Sequence, residues 1–89
     1  MKHWPFKDPD EKQDYEIEWS ARLAGDTIVT SAWTVPAGIT QTAQSQNATA
    51  TIVCLSGGTI GETYEIQNRI TTAAGRTHDQ TVSLKVAPK

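Results

Sequence analysis

Apolar and polar residues alternate along most of this chain with a period of two, the repeat of strands that bury one face and wet the other. The clearest instance runs from Leu55 to Gly75. Ser56-Gly57-Gly58 open it as a turn in which positive φ is cheap. Tyr64, Ile66 and Ile70 then share one parity, Glu65, Gln67 and Arg69 share the other, and Ala73-Ala74-Gly75 close the strand. Such a strand cannot bury its apolar face alone, so the neighbouring strands are expected to close over Tyr64, Ile66 and Ile70.

The same pattern predicts a first strand over Asp14–Ser20, with Tyr15, Ile17 and Trp19 inward and Asp14, Glu16 and Glu18 outward. Ala24-Gly25-Asp26 reads as a hairpin-like turn. Thr27–Val35 follows with two candidate faces, Val29/Trp33/Val35 and Ile28/Thr30/Ala32. The first is taken as inward, because a tryptophan has the most surface to hide. Pro36-Ala37-Gly38 stops this strand. Ile39–Asn47 is polar and reads equally as a short edge strand or a loop. Ala48–Leu55 has β character, but Ile52, Val53, Cys54 and Leu55 are contiguous and leave its inward parity open. Gln80–Ala87 closes the domain with Val82, Leu84 and Val86 inward and Thr81, Ser83 and Lys85 outward, before Pro88.

Residues 1–13 read as an extended arm in front of a domain over 14–89. Pro5 and Pro9 restrict the backbone, and Asp8-Pro9-Asp10-Glu11 has turn composition. Trp4 and Phe6 admit two readings, rings that seal one end of the domain or anchors that dock on a partner.

At 89 residues the chain makes one domain. Its formal charge is −2 and its pI about 5.5, so the basic footprint of a nucleic-acid binder is missing. The charge is uneven: up to Glu18, three lysines stand against six acids. The single Cys54 rules out an internal disulfide. No apolar run approaches membrane-spanning length, and the opening MKHWPFKDPD lacks an apolar signal core, so synthesis and folding in a reducing cytoplasm are expected.

Candidate chemistry is sparse. Asp8, Asp10, Glu11 and Asp14 lack the spacing, glycine and terminal glutamate of a calcium loop, and read as a solvated acidic stretch. His3 and His78 are far apart, each without a ligand or base partner nearby. Cys54 in a β run reads as a small apolar residue, and nothing marks a base for it. Asn47-Ala48-Thr49 matches a glycosylation acceptor by chance. The expectation is no catalytic, cofactor or metal site, and no enzyme. The candidate partner-binding residues are Trp4, Phe6, Asp8 and Asp10 in the arm, with Arg69 and Arg76 flanking the Thr71–Gly75 turn.

Six or seven short strands with regularly spaced turns suggest an all-β, two-sheet antiparallel sandwich. Gly61-Glu62-Thr63-Tyr64-Glu65-Ile66 resembles the entry into strand F of fibronectin type III and immunoglobulin-like domains, where a tyrosine hydrogen-bonds back across the corner. That resemblance covers Leu55–Gly75 and implies an immunoglobulin/fibronectin type III-like sandwich.

A narrower likeness covers nearly the whole chain. Lys7-Asp8-Pro9-Asp10-Glu11, Asp14-Tyr15 through Trp19-Ser20-Ala21-Arg22-Leu23, Gly25-Asp26-Thr27-Ile28, Ala32-Trp33-Thr34-Val35-Pro36, Leu55-Ser56-Gly57-Gly58-Thr59, Gly61-Glu62-Thr63-Tyr64 and Asn68 through Thr77 are similar, in order, to a family of small bacteriophage and prophage proteins. That family is described as phage fiber–tail adaptors or hypothetical phage proteins. The resemblance implies a non-enzymatic virion structural or assembly protein, an adaptor in the head–tail or tail–fiber region. Its partners would be other virion proteins, with self-association open, and neither nucleic acid, membrane nor small-molecule substrate. It would reside in the host bacterial cytoplasm during assembly and then in the virion. The alternative from the residues is a carbohydrate-binding sandwich, which requires an exposed aromatic platform among Trp4, Trp19 and Trp33.

Overall fold

The computed structural model describes residues 2–5 and 7–87. In chain order these form β1 (Lys2–His3), β2 (Lys12–Glu18), a helical turn α1 (Ser20–Leu23), β3 (Ile28–Thr34), β4 (Ile39–Gln46), β5 (Ala50–Gly57), β6 (Thr63–Thr72) and β7 (Thr77–Lys85). The fold is all-β, in two sheets. One has the order β2-β5-β4, antiparallel throughout; the other has the order β1-β7-β6-β3, antiparallel except for the short parallel pairing of β1 with β7.

The alternation read from β6 holds along its length, with Tyr64, Ile66, Asn68, Ile70 and Thr72 buried. β2 contributes Tyr15 and Ile17, and Trp19 just beyond it is buried as expected. Val82, Leu84 and Val86 are fully buried from β7 and its continuation. The apolar residues among these, from both sheets, belong to one cluster. At β5 the open parity resolves to Thr51, Val53 and Leu55 inward, with Ile52 and Cys54 half-buried on the other side. A central strand is covered on both faces to some degree, which is why its sequence reads as an apolar run. The stretch after Pro36 is an edge strand, β4, largely exposed after its buried first residue Ile39.

Two expectations fail. Ala24-Gly25-Asp26 is not a hairpin, because β2 and β3 lie in different sheets. Ser20–Leu23 instead makes one helical turn that buries Leu23. It ends at Ala24 in the left-handed region (φ 51°), where the Ala24 N–H donates to Ser20 O. A connection that crosses between sheets needs more length and a sharper redirection than a two-residue turn.

The inward face of β3 is also misassigned by parity. Val29 is 55% exposed while Ile28 is buried, although Trp33 and Val35 do pack on the core. The reason is a bulge: the register with β6 shifts between Ile28 and Thr30. One extra residue reverses the parity on either side of it, so Ile28 and Trp33 face the same way from positions of opposite parity.

Candidate interaction surface

Several interior polar groups engage one another, whereas the Tyr15 hydroxyl and the Trp33 Nε1 are buried without a hydrogen-bond partner among the described residues. Asn68 sits fully buried at the middle of β6. Its Oδ1 accepts from Thr51 Oγ1 at 2.7 Å and from Trp19 Nε1 at 3.2 Å, both on the facing sheet side. Its Nδ2 donates to Ser31 Oγ at 2.8 Å and to Ala32 O at 3.1 Å, on neighbouring β3. An amide has two acceptor and two donor positions, so its capacity is filled. The parity of Asn68 with Tyr64, Ile66 and Ile70 was the signal for this role; sequence reasoning passed it over because asparagine is usually a surface residue. Near the start of β6, the Tyr64 hydroxyl accepts from the Thr59 N–H at 2.9 Å. Its ring lies on Gly38, where an added Cβ would stand 3.1 Å from the hydroxyl oxygen.

The N-terminal segment is laid along β7. Lys2–His3 pair with Val82–Ser83, Trp4 N donates to Ser83 O, Lys7 N to Lys85 O, and Ala87 N to Lys7 O. Trp4 is 8% exposed, stacked on Tyr15 with ring centroids 4.8 Å apart, and its Nε1 donates to Glu16 O at 3.2 Å. Of the two readings of Trp4, packing on its own domain is the one seen. Lys7 is fully buried, an uncommon place for a lysine. Its Nζ donates to Asp8 O at 2.8 Å and to Gly57 O at 2.7 Å, tying the segment on β7 to the end of β5 in the other sheet. Phe6 lies outside the described residues.

Asp8 and Asp10 occupy a turn held by its own acids. Asp8 N donates to Glu11 Oε1 at 2.8 Å, Asp10 N to Asp8 Oδ1 at 2.9 Å, and Glu11 N to Asp8 O at 3.0 Å. Asp10 is exposed and Asp8 half-buried. Among the described residues no three His, Cys, Asp or Glu side chains converge on a metal position.

Arg69 and Arg76 lie at the far end of the sheet: Lys7 sits beside Val86, whereas Arg76 precedes Thr77 at the start of the same strand. The five candidate residues that are described therefore do not form one patch. Arg69 pairs across strands with Asp79, Nε to Oδ1 at 2.8 Å and Nη2 to Oδ2 at 3.1 Å. That bidentate contact holds the Asp79 carboxyl below the usual range. Arg76 is 3.7 Å from Asp26, whose carboxyl is lowered by the Thr72 hydroxyl first, then by the Thr27 and Ala74 N–H groups and by Arg76. Asp26 thus joins the α1–β3 connection to the β6–β7 turn.

The tryptophans offer no sugar platform. Trp19 is 1% exposed, Trp4 is buried, and Trp33 is packed against the core. Cys54 faces the outer side of the three-stranded sheet, in a shallow groove of about 260 Å³ with Asp14, Ala43, Gln44, Ser45 and Ile52.

Two sheets closed over one apolar core, pinned by the hydrogen bonds of Asn68 and by the buried Lys7, define an all-β sandwich domain. The chain belongs to the podophage GP4 fiber-tail adaptor protein gp77 family, whose model matches residues 7–85. This is the family expected from its sequence blocks, and the match begins at the buried Lys7. No curated protein matches the chain.

Proposed function

We propose that this protein is a non-enzymatic adaptor subunit of a podophage particle, holding neighbouring virion proteins together in the fiber–tail region through protein–protein contacts. The family match over residues 7–85 carries this reading. The interior supports it, since the hydrogen-bonding capacity of Asn68 is spent on cohesion, two bonds toward the facing sheet and two to neighbouring β3. Its partners are proteins, with no role for nucleic acid, membrane or a small-molecule substrate. Assembly takes place in the host cytoplasm, and the protein stays with the virion.

The sandwich itself is read as immunoglobulin-like. If β2–β7 are taken as strands B–G, the sheet orders become B-E-D and C-F-G, those of a constant-type immunoglobulin domain. Tyr64, two residues into strand F, then supplies the corner hydrogen bond.

Within this proposal Asp10 and Arg76 are exposed contact residues at opposite ends of the domain, with Asp8 shaping the turn that presents Asp10. Trp4 acts by holding the segment in place, and Phe6 and Arg69 complete the proposed set. Particles assembled without this gene product test the reading. They are expected to lack stably attached fibers, as scored by electron microscopy and particle mass spectrometry, and to regain them on complementation. Fibers retained at normal occupancy in its absence overturn it.

A further inference from the structure

Among the described residues, the sheet edges are guarded on every side except one. The edge of β7 is covered by residues 2–4 and by Lys7, and further along Arg22 Nη1 donates to Asp79 O at 2.8 Å. The edge strand β2 carries Asp14, Glu16 and Glu18 on its outward parity. Covers and charges of this kind keep edges from pairing with other chains. The remaining edges, β3 and β4, fall in a stretch between Asp26 and Glu62 that contains no charged residue and no histidine. On β3 the bulge at Val29 interrupts the edge and Gln46 Nε2 donates to Val29 O at 2.9 Å, so of the two β4 offers the more continuously exposed edge. Residues 42–46 of β4 are exposed at both parities, and apart from Gln46, which reaches β3, neither face of this stretch is buried by its own domain. Strands that are polar on both sides and uncharged at the edge readily accept a further strand.

The ladder says which backbone groups are available. Asn47 N donates to Ala50 O at 3.0 Å, so these two form a hydrogen-bonded pair. In an antiparallel ladder such pairs alternate, which directs Ser45 and Ala43 toward β5 and turns the N–H and C=O of Gln44 and Gln46 outward. A strand added there bonds to Gln44 and Gln46. The bulge between Gln41 and Ala43 bends β4 at one end, and the turn at Asn47 ends it at the other. The usable edge is therefore Ala43–Asn47.

We propose that two copies of this chain associate by antiparallel addition of β4 to β4 about a two-fold axis at Ser45, pairing Gln44 with Gln46 of the partner subunit. The strand is suited to its own copy. On the axis Ser45 faces itself, where a charged side chain would meet its own charge, and serine is small, neutral and able to hydrogen-bond. The outward groups of Gln44 and Gln46 are of the parity that this register requires. Growth stops at two, because the joined six-stranded sheet ends on the acidic β2 of each copy. A contact of this length is below the roughly 1,200 Å² of stable interfaces, so the dimer is weak and concentration-dependent. This inference does not depend on the adaptor reading.

Cross-linking and sedimentation test it directly. Non-hydrogen-bonded antiparallel pairs bring Cα atoms to about 4.5 Å, within disulfide range. In a Cys54→Ser background, the Ser45→Cys chain is expected to form a covalent dimer on mild oxidation, and the Thr40→Cys chain, beyond the bulge, is not. The unaltered chain, 9.7 kDa as a monomer, should approach twice that mass in sedimentation equilibrium. The concentrations run from about 10 µM to about 1 mM, the range in which weak associations of this energy are seen. Gln44→Pro deletes an outward N–H without touching the ladder to β5, and should weaken association by roughly tenfold or more. If circular dichroism shows that proline disturbs the sheet, Ser45→Lys, which sets charge against charge on the axis, is expected to do the same. A monomer throughout that range, equal cross-linking at positions 40 and 45, or association untouched by the folded variant overturns the proposal.

Discussion

The indole Nε1 of Trp19 donates to Oδ1 of Asn68 at 3.2 Å, a bond that runs between the two sheets with both residues buried. Thr51 shares both partners: its Oγ1 accepts from the indole at 3.1 Å and donates to Asn68 at 2.7 Å. Polar triangles of this kind are worth more together than apart in a low-dielectric interior, and removing Asn68 takes an acceptor from Trp19 and Thr51 and a donor from Ser31 and Ala32. Asn68→Ala is therefore expected to lower stability by about 3 kcal/mol or more, read by urea denaturation. Asn68→Leu, similar in volume, should recover little of it, because the Thr51 hydroxyl still lacks its acceptor and Ser31 and Ala32 a donor, with only the Trp19–Thr51 bond surviving. A loss under about 1 kcal/mol, the scale of a single hydrogen bond, would show that the network does not hold the sheets.

The two tyrosines should respond oppositely to loss of the hydroxyl. The Tyr64 hydroxyl accepts from the Thr59 N–H, so Tyr64→Phe should cost about 1 kcal/mol and Tyr64→Ala about 3–5 kcal/mol. The Tyr15 hydroxyl is buried without a hydrogen-bond partner among the described residues. Tyr15→Phe should therefore be neutral or slightly stabilising, since it removes a desolvated polar group. Burial, and secondarily the Glu11 charge, push the Tyr15 phenol up to about 12. A folded-state value above the unfolded one stabilises below the unfolded value and fades as pH rises past it. Alkaline difference spectroscopy should find one tyrosine ionising near 12, absent in Tyr15→Phe, with stability falling above about pH 10.

The N-terminal segment should behave as part of the core. Trp4→Ala removes a buried ring stacked on Tyr15 and is expected to cost about 3–5 kcal/mol. Lys7→Met keeps the length of the side chain but strips donors from Asp8 O and Gly57 O, for about 1–3 kcal/mol. Deleting residues 1–7 should destabilise at least as much as Trp4→Ala. Calorimetry on the three variants checks this, and a truncated chain melting like the parent would refute it.

Acid should weaken the fold through Asp26 and Asp79. Both carboxyls are held below their ordinary value, Asp26 by the Thr72 hydroxyl first and Asp79 by the Arg69 guanidinium. A depressed folded-state value contributes stability above the unfolded one, and the contribution is lost as pH falls through the folded value. The urea midpoint should thus be steady near neutrality and fall below about pH 4. Asp79→Asn and Asp26→Asn should flatten that decline, each in part.

Sequence alone determined the strands whose partners and faces obey a simple alternation. Tyr15, Ile17 and Trp19, then Tyr64, Ile66 and Ile70, then Val82, Leu84 and Val86 were legible because burial on one face of a pleated strand imposes a period of two. The all-β class followed from these runs, and the family from ordered blocks along the chain. The tertiary structure decided what a period cannot encode. A bulge has no signature in the hydrophobic pattern, so Ile28 in place of Val29 could not be read. Whether Ala24-Gly25-Asp26 closes a hairpin or crosses between sheets depends on which strands pair, and pairing is a matter of distant contacts. Trp4 and Phe6 admitted two fates from composition, and only the docking of the segment on β7 placed Trp4 in the core. Asn68 is the sharpest case: a buried amide is tolerable only where four partners converge from β3, β5 and the end of β2, and that convergence exists only once the sheets have closed.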